Sequence, residues 1–146
     1  MHPLPGLDGA RGVSVQEATP DKVVLVWTVG KQHLQPFGIV HGGAYCTVHE
    51  TAASMAGQTW LGDKGIIVGV NNNTDFLLQA VVGDQMTTTA RPVHRGRKQQ
   101  LWRMETAKQD RKIVAFGQGR LQQLDTPPPA VFMRACYRGR ALFPSL

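Results

Sequence analysis

Residues 35–57 read Q-P-F-G-I-V-H-G-G-A-Y-C-T-V-H-E-T-A-A-S-M-A-G, and they hold the side chains whose types and spacing could do chemistry. Gly42 and Gly43 follow His41 and open a run of small and apolar residues with the composition of a buried helix. Backbone N–H groups at a helix start have no intrahelical partner, and glycine lets a ligand approach them closely. Together with the positive end of the helix dipole they suit an oxygen that gains negative charge. Glu50 is the only acidic residue of this run. A lone carboxylate among apolar neighbours is costly to desolvate, which marks it as a base or nucleophile rather than a solvated charge. Ser54 lies one turn further on the same helix face, placed to share a water with it. An oxyanion site, a carboxylate and a hydroxyl are the parts of acyl-transfer chemistry.

The neighbours divide by helix geometry. His49 is rotated about 100° from Glu50 around the axis, so it reads as a packing or interface residue and not as a catalytic partner. Cys46, one turn before Glu50, reads as a small buried hydrophobe, because no basic group nearby would activate a thiol. A second informative stretch is the turn His94-Arg95-Gly96-Arg97-Lys98, where glycine permits close approach and two guanidiniums can fork onto phosphate. A third is Asn71-Asn72-Asn73, which interrupts an apolar segment, so at least one amide is expected to face a polar cavity.

The elements that must carry these residues follow from periodicity and turn signals. Strands are expected over 12–19 and 22–29, and a loop with a Pro-Gly pair then carries Gln35 and delivers His41. A helix is expected over 42–61, followed by strands over 66–78, 85–94, 99–108 and 113–124. This is an α+β pattern, one long helix buried against a curved antiparallel sheet. Residues 1–11, with Pro3, Pro5, Gly6 and Gly9, read as irregular. One domain therefore spans 1–124. Residues 125–146 form a C-terminal extension, in which T-P-P-P excludes helix and central strand before a basic, apolar remainder.

The totals bound the partners. A chain of 146 residues suits one domain with a real core. No apolar run is long enough to span a bilayer and the N-terminus lacks a signal-peptide core, so a soluble, cytoplasmic protein without membrane partners is expected. The two cysteines match no zinc or redox spacing, and no cluster of metal ligands stands out, so neither metal nor cofactor is expected. A net charge of +6 invites an anionic partner. Nucleic acid is one candidate, although the aromatic-basic platforms of single-strand binders are not apparent, and a phosphorylated small molecule fits the charge equally well, so composition does not choose between them.

The spacing of Gln35, His41-Gly42-Gly43, Glu50 and Ser54, with the downstream H-x-G-R-x-x-Q-x-W stretch, resembles the PaaI-like acyl-CoA thioesterases of the hotdog fold. The likeness covers roughly 10–124 and is nearest to the branch with a catalytic glutamate acting on aryl-CoA thioesters. It implies that Gln35 hydrogen-bonds near the thioester carbonyl, that His41 orients rather than transfers a proton, and that Asn73 lies nearest the acyl pocket. It also implies that His94, Arg95, Gly96 and Arg97 hold the nucleotide phosphates of coenzyme A, which is part of the substrate and not a cofactor. Asp75 stands where relatives often carry other polar residues, which leaves the acyl group open. Glu50 is then the nucleophile or the general base of hydrolysis. A hotdog enoyl-CoA hydratase and a non-catalytic acyl-CoA-binding protein are the rival readings. Geometry adds one expectation. Gly42 and Glu50 stand about 12 Å apart along a helix, too far to reach one reacting carbon. Active sites shared between the chains of a homodimer resolve this, and the resemblance extends the expectation to a homotetramer.

Overall fold

The computed structural model describes residues 2–127. In chain order its elements are β1 (His2–Pro3), α1 (Gly6–Ala10), β2 (Ser14–Thr19), β3 (Lys22–Thr28), a short 3-10 turn (Lys31–His33), α2 (Gly42–Leu61), β4 (Ile66–Phe76), β5 (Gln85–Arg95), β6 (Gln99–Lys108) and β7 (Ile113–Leu124). The strands form one antiparallel sheet in the order β1-β2-β3-β5-β6-β7-β4, which wraps α2. This is the hotdog architecture.

Small residues explain how the sheet comes so close to the helix. Ala44, Ala52, Ala53, Ala56 and Gly57 of α2 are buried, so strand side chains pack almost against the helix backbone. Leu25, Trp102, Met104 and Leu121 fill the space between them and are wholly buried. Each such side chain contributes roughly 1.5–3 kcal/mol relative to exposure. The helix ends at Gly62, whose positive φ of 67° favours glycine and whose N–H returns to the Gln58 carbonyl at 2.8 Å.

Two features of the sheet bear on chemistry. β4 is an edge strand of 11 residues, and Val68, Val70 and Phe76 on it are exposed. A β-bulge between Gly69 and Asn71 shifts its register against β7. Such a bulge reverses which face the following side chains take.

The helix and the last two strands begin and end where expected, and β4 stops two residues sooner. The N-terminus differs from expectation. Pro5 stands before the first turn of α1, where its missing N–H costs nothing, and Asp8 then ties α1 to α2 by accepting from Thr51 Oγ1 at 2.9 Å. The expected extension lies almost wholly outside the described residues, as does Cys136. Among the described residues no helix is long and apolar enough to cross a membrane.

Candidate active site

The helix carries Glu50 half-buried against β4. Ser54, one turn along, donates to Oε1 at 3.4 Å. Asn72 Nδ2 donates to Oε2 at 3.2 Å and to the Cys46 carbonyl at 3.0 Å. The carboxylate lies over the backbone of Gly69, where a side-chain carbon would collide with Oε1. Glu50 is therefore fixed by one group from its own helix and one from the strand facing it. Each oxygen accepts one hydrogen bond and has a further lone pair for a water or a substrate.

The second part of the site is the start of α2. His41 caps the helix, its Nδ1 accepting from Gly43 N–H at 2.8 Å, which leaves the ring proton on Nε2. This capping contact is structural and is compatible with the orienting role expected of His41. It also corrects the reading of the two glycine amides, because Gly43 is engaged by its own cap. Gly42 N–H has no partner among the described residues, and the Phe76 ring packs where a side-chain carbon of Gly42 would lie. The loop before it is braced by Gln35 N–H to the Ile39 carbonyl at 2.9 Å and by His41 N–H to the His33 carbonyl at 2.8 Å. His33 itself is buried, accepting from Gly30 N–H at Nδ1 and reaching the Arg11 carbonyl with Nε2. Burial lowers its pKa and keeps it neutral. The Gln35 side chain has no partner among the described residues.

Other expected residues separate. The resemblance pointed to Asn73, but the bulge turns Asn72 toward Glu50. Asn73 lies on the outer face of the sheet, where with Asp75, Phe116, Gln118 and Arg120 it lines a cavity of about 400 Å³. Arg95 is not free for phosphate in this structure: its Nη1 donates to the Pro20 carbonyl and to Asp21, and its guanidinium lies 5.4 Å from the Trp60 ring centre. Lys98 pairs with Asp125 at 3.2 Å. Gly96 keeps the turn tight against His94, and exposed Arg97 has no partner among the described residues.

Residues 37–115 match the thioesterase superfamily, and the chain belongs to it. It is a PaaI-like hotdog thioesterase, a thioester hydrolase. A relative from Mycobacterium tuberculosis (strain ATCC 25618 / H37Rv), Rv1847, is 43% identical over 124 residues, covering 83% of this chain and 88% of its own. The 1,4-dihydroxy-2-naphthoyl-CoA hydrolase of Listeria monocytogenes is 27% identical over 111 residues, 76% of this chain and 89% of its own. Among solved structures, the PaaI protein of the Escherichia coli phenylacetic acid degradation operon superposes with a TM-score of 0.74 at 25% identity. It covers 81% of this chain and 83% of its own. Hydrolysis thus stands over the hydratase and the non-catalytic reading.

Proposed function

We propose that this protein hydrolyses a coenzyme A thioester of an aryl or medium-size acyl group, with Glu50 as nucleophile or general base. The observation that carries the reading is the Glu50 carboxylate, half-buried in α2 and held at both oxygens by Ser54 and Asn72. Water adds at the thioester carbon, the C–S bond breaks, the thiol leaves with a proton, and the free acid remains. Glu50 either takes the proton from that water or attacks first to form an anhydride that water then opens. The Gly42 N–H and the Gln35 amide receive the oxyanion. The name of the Listeria relative supports an acyl-CoA substrate. Arg97 is the group in the basic turn best placed to meet a phosphate.

Each site is shared by two chains. The single chain separates Gly42 from Glu50 by about 12 Å of helix. The exposed β4 edge offers unpaired backbone groups and apolar side chains to a second copy running antiparallel.

Glu50→Gln keeps size and hydrogen-bonding capacity but removes the base. With a panel of aryl-, phenylacetyl- and fatty acyl-CoA thioesters, free-thiol release should fall by about two orders of magnitude or more in kcat while substrate still binds. Near-normal kcat would overturn the reading.

A further inference from the structure

A line of polar side chains runs through the core and ends on Glu50. Trp27 Nε1 lies 3.3 Å from Thr88 Oγ1, and Thr88 lies 2.8 Å from Thr106 Oγ1. Thr106 is 3.0 Å from His49 Nε2, and His49 Nδ1 is 3.1 Å from Thr74 Oγ1. Thr74 donates to Asn72 Oδ1 at 2.8 Å, and Asn72 donates to Glu50. His49, Thr88 and Thr106 are wholly buried.

The chemistry of the two ends fixes the direction of every link. The Cys46 carbonyl and the Glu50 carboxylate only accept, so Asn72 presents its NH2 to both and keeps Oδ1 for Thr74. The single Thr74 hydroxyl proton goes to that Oδ1. At the His49 contact Thr74 must then accept, which puts the ring proton on Nδ1. Nε2 of a neutral ring is then an acceptor and takes the Thr106 proton. Thr88 donates to Thr106, and Trp27, which can only donate, donates to Thr88. The run is consistent from indole to carboxylate. Burial reinforces it, since His49 has its pKa pushed down to about 4 and is neutral. Gly117 of β7 makes room, because a side-chain carbon there would press on both Thr74 Oγ1 and His49 Nδ1.

We propose that His49 is a positioning residue for Glu50, acting through Thr74 and Asn72. The proposal rests on Glu50 being the reacting carboxylate. The sheet threonines set the His49 tautomer, the tautomer sets which way the Thr74 hydroxyl points, and that hydroxyl sets the Asn72 amide. The amide then holds Oε2 while Ser54 holds Oε1, and the fixed carboxylate keeps a lone pair on each oxygen for water or substrate. Packing alone would ask only for a side chain of this volume at residue 49 and would not depend on the sense of any link.

Thr74→Val keeps the shape of the strand residue and removes the link, while Thr74→Ser restores the hydroxyl. The valine variant should lose about tenfold or more in kcat with KM within about twofold, and the serine variant should recover to within about threefold of the parent. Two-bond proton–nitrogen spectra of the histidine-labelled parent protein should show His49 protonated on Nδ1. This readout does not depend on any variant folding. Unchanged kcat in Thr74→Val, a loss confined to KM, no recovery in Thr74→Ser, or an Nε2-protonated His49 would each overturn the proposal. Glu50→Gln, assayed beside them, separates the two readings. If it is inactive while Thr74→Val is normal, the positioning role alone fails. If it is active, both fail.

Discussion

Glu50 depends on an atom that residue 69 lacks. Gly69 sits on an exposed edge strand, where a larger side chain would normally be tolerated, yet a β-carbon there would collide with the carboxylate. Gly69→Ala should therefore cut kcat by about tenfold or more while moving stability by no more than about 1 kcal/mol, measured by thiol release and urea unfolding. The buried histidines act on stability as well. The folded chain resists protonating His49 until about pH 4, whereas an unfolded one takes its proton near 6.5. Below about pH 6.5 the unfolded state thus binds more protons, so stability falls as the pH is lowered, by on the order of 2 kcal/mol between pH 7 and pH 5. His33 acts in the same direction. Urea unfolding at pH 7 and pH 5 should show this loss, and His49→Asn, which cannot titrate, should reduce it to the part that His33 contributes. The sequence made Glu50 and Ser54 legible because four-residue spacing on a helix needs no tertiary knowledge. It could not choose among three asparagines. That choice turns on strand parity, and the bulge at Gly69–Asn71, which no residue type announces, reverses it. His49 was legible only as a residue off the Glu50 face, because its partners stand on strands 25 and 57 positions away.

At the scale of elements, spacing alone located the helix, since glycines bound it at both ends and small residues fill it. The β6 and β7 limits were equally plain, set by the charged turns on either side of β6 and by the proline run that follows β7. α1 was hidden because its stability comes from docking Asp8 on Thr51, a contact without local signature. The basic turn joining β5 to β6 was legible as a turn but not in its division of labour. Arg95 is held across the sheet surface by Asp21, an exposed ion pair worth little energetically but enough to orient the guanidinium. Arg97→Ala should then raise KM for coenzyme A thioesters by about fivefold and leave a truncated thioester lacking the nucleotide unaffected, because a remote handle has been removed. Arg95→Ala should act on both substrates alike, through the shape of the turn. Steady-state kinetics on the two substrates checks both outcomes.

At the scale of the whole molecule the question is how two halves of a site on one rigid helix meet. The helix fixes Gly42 and Glu50 about 12 Å apart, and reacting atoms must come within roughly 3–3.5 Å, so no hinge within the chain can bring them together. A two-fold partner can, by placing its Glu50 beside this chain's Gly42 and receiving the reverse. Two inactive variants should then complement: Glu50→Ala, and Gln35→Ala combined with His41→Ala. The second loses a helix cap, at a cost of about 1 kcal/mol, which leaves a chain that still folds. In a mixed dimer one site inherits both defects and the other inherits neither. Random reassortment of equal amounts makes about half of the dimers mixed, so about a quarter of parental activity should return. The two variants are unfolded, refolded together and assayed for thiol release beside parental protein treated alike. Activity that stays at the level of the separately refolded variants, while the parent recovers, would show that each chain carries a complete site.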